Sequence, residues 1–221
     1  MQMEFFRNEK GATILLAMVK AIKDNKAYLS EVDGLIGDGD HGMNMNKGFS
    51  LFEDRFGAGN FTFSEGLENL GTILMNEIGG SMGPIYGTIF MEMATTIETN
   101  QTDTVDLLCL SRSFAAALEG LYEIIDARVG DKTLVDTLAP AAASLEKDAA
   151  ESLPFSAALQ NMRQAATAGM ESTKDMTAKY GRSSRLGERS RGVLDAGACS
   201  CCLIICALAD SITLLLEEVP Q

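Results

Sequence analysis

Thr104-Val-Asp-Leu-Leu-Cys-Leu-Ser-Arg-Ser-Phe-Ala-Ala-Ala-Leu-Glu-Gly-Leu-Tyr-Glu-Ile-Ile-Asp-Ala-Arg128 decides the fold class. Leu107, Leu110, Phe114, Leu118, Leu121 and Ile125 recur at three- and four-residue steps, so they share one face of an α-helix. The same rhythm extends in both directions. Upstream it predicts a helix over about residues 8–30 (Ile14, Met18, Ile22) and another over about 43–56 (Met45, Phe49, Phe52, Phe56). A third, capped by Ser64, carries Leu67, Leu70, Leu74 and Ile78, and a fourth carries Ile85, Ile89, Met93 and Ile97. Downstream, a sixth helix follows Gly130-Asp131 through Leu134, Leu138 and Leu145, with Pro140 expected to kink it. Ala158, Met162, Ala165, Ala166 and Met170 mark a seventh that ends near Tyr180, and the eighth covers Ala198 to Glu217. No run of alternating β-branched residues bounded by turn dipeptides interrupts the pattern. The expected architecture is therefore all-α, an eight-helix antiparallel up-and-down bundle or barrel formed by residues 1–221 as a single domain.

Composition narrows the function. The 221 residues are 46% apolar, enough for a large core, and the net charge of −13 argues against nucleic acid and anionic membranes as partners. Met1-Gln-Met-Glu-Phe-Phe-Arg7 lacks the pattern of a secretory signal, so a cytoplasmic location is expected. The most apolar stretch, Cys201 to Leu216, is interrupted by Asp210 and reads as a buried helix, not a membrane span. Cys199, Cys202 and Cys206 fall on one face of that helix, where cysteine packs as a small hydrophobe.

The unusual chemistry gathers in four loops. Glu31-Val-Asp-Gly-Leu-Ile-Gly-Asp-Gly-Asp-His-Gly-Met-Asn-Met-Asn46 brings Asp33, Asp38 and Asp40 together with the only histidine, His41. Carboxylates so close repel one another unless a cation lies among them, and hard oxygen donors suit Mg²⁺ or Ca²⁺. A calcium loop of the helix-loop-helix type is excluded by spacing: counted from Asp38, its sixth position is Met43 instead of glycine and its twelfth Phe49 instead of glutamate. Magnesium is commonly held by a few carboxylates plus substrate phosphates, which implies a phosphate-bearing ligand.

Gly79-Gly-Ser-Met-Gly83 precedes a helix whose N-terminal amides could hold phosphate oxygens, with a simple glycine helix stop as the alternative. In Gly130-Asp-Lys-Thr133, Asp131 could equally cap the following helix or touch a ligand. Lys179 to Gly192 concentrates Lys179, Arg182, Arg185, Arg189 and Arg191 in an otherwise acidic chain, and guanidinium groups pair bidentately with phosphate. For Arg185 and Arg191 a solvated surface position is the preferred reading. In an up-and-down bundle the junctions one-two, three-four, five-six and seven-eight share one end, so these loops are expected to build one composite site.

Taken together, Gly37-Asp-Gly-Asp-His-Gly-Met-Asn-Met-Asn46, Gly79-Gly-Ser-Met-Gly-Pro84, Gly130-Asp-Lys-Thr133 and Gly181-Arg-Ser-Ser-Arg-Leu-Gly-Glu-Arg-Ser190, followed by Asp195-Ala-Gly197, resemble the ADP-binding L subunit of dihydroxyacetone kinase. The motifs occur in register over essentially the whole chain. The resemblance implies an eight-helix barrel with a nucleotide at one rim and two Mg²⁺ ions held by Asp33, Asp38 and Asp40 against the phosphates of ADP or ATP. It also implies nucleotide contacts from His41, Gly42, Met43, Asn44, Ser81 and Met82, with Leu134 against the adenine, Arg182 at the phosphates and Asp195, Ala196 and Gly197 closing over the ligand. Ser81-Met82 departs from the Ala-Ser of many members, and Ile124-Ile-Asp-Ala-Arg-Val129 replaces a glycine-bearing loop, so no contact is carried over there.

The implied activity is that of a kinase subunit, presenting Mg-ADP or Mg-ATP to a dihydroxyacetone or related short ketose bound by a partner subunit. A phosphohistidine protein of the sugar phosphotransferase system would recharge the ADP; a stand-alone ATP-dependent nucleotide subunit is the alternative. A homodimer is a further expectation. A metal-dependent phosphohydrolase with His41 as base, and a regulatory module that only binds nucleotide, are the rival readings.

Overall fold

A computed structural model describes residues 4–218. Among these residues nine α-helices carry the fold: α1 Gly11–Asp24, α2 Lys26–Ile36, α3 His41–Phe56, α4 Phe63–Glu77, α5 Met82–Thr99, α6 Leu107–Ile124, α7 Val135–Ala150, α8 Phe155–Ser172 and α9 Ala196–Leu215. The all-α expectation holds, with one helix more than the eight read from periodicity. The first predicted helix is divided at Asn25, whose φ of −103° and ψ of 10° leave the helical region and whose side-chain amide donates to the Ala21 carbonyl at 2.9 Å. Stripe residues Ile14, Met18 and Ile22 are nonetheless fully buried.

Other boundaries move for local reasons. Thr62, not Ser64, caps α4: its hydroxyl accepts from the Glu65 amide at 3.2 Å while the Glu65 carboxylate accepts from the Thr62 amide at 2.8 Å. Asp106 caps α6 by accepting from the Cys109 amide at 2.8 Å, so that helix starts just past the predicted Thr104. Pro140 lies inside α7, which runs unbroken from Val135 to Ala150. The eighth helix of the chain stops at Ser172, before Tyr180, and passes into a short 3₁₀ turn, Thr173–Asp175.

Consecutive helices from α4 to α9 pack side by side, and α9 closes the ring against α1, which in turn packs on α3 and α4. One continuous apolar cluster fills the ring, drawn from every helix. Antiparallel neighbours put alternate junctions at the same end. Three short strands lie at the other end: β1 Glu4–Arg7, β2 Thr104–Asp106 and β3 Glu217–Glu218 form an antiparallel sheet in the order β2-β1-β3. Phe6 of β1 is fully buried and meets Phe63 edge-on at 5.4 Å between ring centres, which seals that end of the core.

Helix α9 is long and apolar enough to cross a membrane, but 61% of its apolar window is buried inside the protein. Its Cys199, Cys201 and Cys202 are buried, Cys206 is half-buried, and all are free thiols, in keeping with their reading as packing residues.

Candidate functional site

The loops between α2 and α3, α4 and α5, α6 and α7, and α8 and α9 converge on one cavity of about 470 Å³. From the first junction come Asp33, Gly37, Asp38, Asp40 and His41; from the second, Ser81, Met82, Ile85 and Tyr86. The third supplies Ile125, Ala127, Lys132, Thr133 and Leu134, and the fourth Tyr180 to Ser183 with Asp195 to Gly197. Of the metal and nucleotide contacts that the resemblance implies, Gly42, Met43 and Asn44 alone do not line the cavity; Asp131, Lys179, Arg185, Arg189 and Arg191 lie outside it as well. Gly42 is buried where α3 crosses α2, and a Cβ there would collide with the Lys26 carbonyl and the Ser30 amide. Met43 is 54% exposed on the outer face of α3.

Asp33, Asp38 and Asp40 can place one carboxylate oxygen each within 4.8 Å of one another. Opposite oxygens around an octahedral magnesium stand about 4.2 Å apart, so this set of hard donors fits the ion. The N-terminus of α3 points at the triad: the His41 amide donates to Asp33 Oδ2 at 3.3 Å, an arrangement the helix dipole favours. Burial and the neighbouring charges of Asp38 and Asp33 push the Asp40 carboxyl above its usual range. Arg182 answers this charge from across the cavity, pairing with Asp38 and placing Nη2 4.0 Å from Asp40 Oδ2.

His41 is almost completely buried, and burial lowers its pKa to about 4, with Asp33 opposing the shift. The imidazole is therefore neutral at physiological pH. Its Nε2 lies 2.8 Å from the Ser200 hydroxyl, which is 2.6 Å from the Tyr86 hydroxyl; Tyr86 also donates to the Gly197 carbonyl at 3.1 Å. A buried polar chain thus ties the start of α3 to α5 and to the mouth of α9. Asp195 caps α9, accepting from the Ala198 amide at 2.8 Å, and its burial raises its pKa to about 6.

The basic loop hangs from one buried residue. Lys132, 1% exposed and at a φ of +61°, donates to the carbonyls of Thr173 and Val193, both at 2.5 Å. These carbonyls bracket the loop that carries Arg182. Burial lowers the Lys132 pKa, while the nearby Asp195, Asp175 and Asp136 oppose the shift. Asp131 does not cap α7; it accepts from the Arg128 amide at 2.7 Å and pairs with Lys179, whose hydrogen bond holds its carboxyl below the usual range. The cap-like role falls to Asp136, which accepts from the amides of Gly130 at 2.6 Å and Thr133 at 2.8 Å. Arg185 and Arg191 stay exposed, as their surface reading expects.

Several lining residues were not singled out in the sequence. Ile125 and Ala127 form an apolar wall from the segment to which no contact was carried over. Ile125 was visible only as the last member of the α6 stripe; that it lines a cavity depends on the helix ending at Ile124. Tyr86 and Tyr180 carried no motif signal.

A family model described as DAK2 domain matches residues 35–210. The chain is 36% identical over 183 residues to the ADP-binding subunit of a PEP-dependent dihydroxyacetone kinase from Escherichia coli, covering 82% of this chain and 86% of that one. It is 41% identical over 180 residues to the ADP-binding subunit of a PTS-dependent dihydroxyacetone kinase from Lactococcus lactis, covering 80% and 83%. It is 31% identical to a D-erythrulose kinase from Mycolicibacterium smegmatis, covering 90% of this chain and 34% of that longer one. Among solved structures, the dihydroxyacetone kinase of C. freundii in complex with AMP-PNP and Mg²⁺ superposes with a TM-score of 0.68 at 23% identity, over 91% of this chain and 33% of that chain. That likeness establishes the fold.

Proposed function

The chain belongs to the DAK2-domain family, and from that premise we propose that it is the nucleotide-binding subunit of a kinase for dihydroxyacetone or a related short ketose. It holds Mg-ADP or Mg-ATP for transfer of a phosphoryl group to a ketose presented by a partner subunit. The observation that carries this reading is the convergence of four loops on one cavity with an acidic triad on one wall, an arginine opposite and an apolar wall between. Phosphoryl transfer asks little covalent chemistry of the protein; positioning and charge neutralisation do most of the work.

Each wall has a role. Asp33, Asp38 and Asp40 would hold magnesium, two ions in this reading, which would supply neutralisation of the phosphate charge. His41 at the start of α3, and Ser81 and Met82 at the start of α5, would face the phosphates. Leu134 would lie against the adenine, and Ile85 and Ile125 add apolar lining to the same cavity. Arg182 reaches the phosphates, and Asp195 to Gly197 close over the nucleotide.

The relatives of similar length are separate subunits named as PEP- or PTS-dependent, and this favours ADP as a resident cofactor recharged by a phosphohistidine protein. A cytoplasmic location, a homodimer and a single nucleotide-binding domain over residues 1–221 belong to the same reading. The test is mass spectrometry of the purified chain for bound ADP, followed by reconstitution with a ketose-binding subunit. ADP at one equivalent and ketose phosphorylation only on adding the partner are expected. Hydrolysis of a phosphate ester by the isolated chain would instead identify a phosphohydrolase. Asp38→Asn is expected to lose both Mg-ADP binding and transfer.

A further inference from the structure

Arg182 is 64% exposed, yet its guanidinium is turned inward onto Asp38 and toward Asp40. Among the described residues it is the basic side chain ion-paired with the acidic triad. A divalent cation shared by these carboxylates draws on the same Asp38 carboxylate that the guanidinium holds. The two positive charges compete for one partner.

A phosphate resolves the competition. It binds a guanidinium bidentately and offers it more charge than one carboxylate does. Gly181, at a φ of +70°, precedes Arg182, and Gly187, at a φ of +54°, interrupts the 3₁₀ segment that follows it, so the arginine stands on a short segment between two glycines. The ends of the loop stay fixed, because Lys132 holds the carbonyls of Thr173 and Val193 and the Gly192 amide donates to the Lys174 carbonyl at 2.8 Å.

We propose that Arg182 is an exchangeable counter-ion of the triad. It neutralises Asp38 and Asp40 until a phosphate-bearing ligand takes its guanidinium, and this transfer releases Asp38 to a divalent cation. The metal and the nucleotide then bind with positive coupling, reciprocal by thermodynamic linkage. The proposal rests on the nucleotide reading of the cavity and adds to it a defined positioning role for one side chain.

Manganese serves as the probe, since it accepts the same oxygen ligands and its free form is visible by paramagnetic resonance. The full chain, stripped of nucleotide, is titrated with Mn²⁺ alone and with Mn²⁺ plus ADP, after correction for the manganese that ADP binds in solution. Arg182→Gln is expected to tighten Mn²⁺ alone by about fivefold or more, the lower end of ordinary coupling between sites, and to weaken Mn-ADP. Arg185→Gln, the same charge change at an exposed position on the same loop, controls for general electrostatics and is expected to move either constant less than about twofold. If Arg182→Gln tightens Mn²⁺ alone no more than Arg185→Gln does, the exchange is overturned while the nucleotide reading stands. If the unaltered chain fails to bind Mn-ADP, the nucleotide reading itself falls.

Discussion

Lys132 combines two conditions that rarely coexist, a left-handed backbone and an ammonium group shut away from water. Both are tolerated because the ammonium donates to two carbonyls, that of Val193 and that of Thr173, the latter also accepting from the Met176 amide at 3.2 Å. Lys132→Met keeps much of the volume, takes the lysine donor from the Val193 carbonyl and leaves the Thr173 carbonyl with the Met176 amide, so a loss of about 1 to 3 kcal/mol is expected in urea unfolding. Asp195 gives a pH signature. Its folded pKa of about 6 lies above the ordinary 3.8, so the folded state takes up this proton before the unfolded state does. Stability from this group therefore increases as pH falls from about 7 toward 4 and decreases as pH rises through 6. Asp195→Asn preserves a good helix cap and removes the titration. The stability of the unaltered chain minus that of Asp195→Asn should fall between pH 5 and pH 7, with a slope of at most about 1.4 kcal/mol per pH unit.

Among the elements, the contact between α7 and α8 offers the clearest contest between opposing effects. Pro140 has no amide to give to the Asp136 carbonyl, and Gly169 of α8 comes so close to that oxygen that a Cβ would overlap it. Gly169→Ala gains about 1 kcal/mol of helix propensity but forces backbone from backbone, a cost of about 1 to 3 kcal/mol. The clash is with main chain, which cannot rotate away, so net destabilisation by thermal denaturation is expected. Thr62→Ala breaks the reciprocal cap of α4 and is expected to cost about 1 kcal/mol. The sequence revealed elements in proportion to how local their causes are. The stripes of α1, α5 and α6 depend on spacing within one segment, and they were legible. The break at Asn25 turns on a single side chain bonding back to Ala21, and the sheet strands of two to four residues are too short for an alternating pattern to register. The acidic triad, Ser81-Met82, Arg182 and Asp195-Ala-Gly197 could be gathered beforehand because alternate junctions of an up-and-down bundle share an end. Ile125, Ala127 and the buried role of Lys132 could not, since they depend on where α6 stops and on what the long loop before α9 packs against.

At the scale of the whole molecule, the ring brings its own ends together. β1 pairs with β3 through Glu4 and Glu218, and α9 packs on α1. Joining the termini by a short linker and opening the chain within Gly57-Ala-Gly-Asn60, an exposed turn at the end remote from the cavity, is expected to leave a cooperatively unfolding helical protein, measured by circular dichroism. A molten or aggregated product would show that the ring depends on the native order of its helices. The same closure bears on how the protein is made. The last helix supplies Asp195, Ala196 and Gly197 to the cavity and Ser200 to the polar chain that steadies His41. Until α9 has left the ribosome, the acidic loop stands without the wall that Asp195 to Gly197 supply, so the complete cavity forms only after that helix emerges.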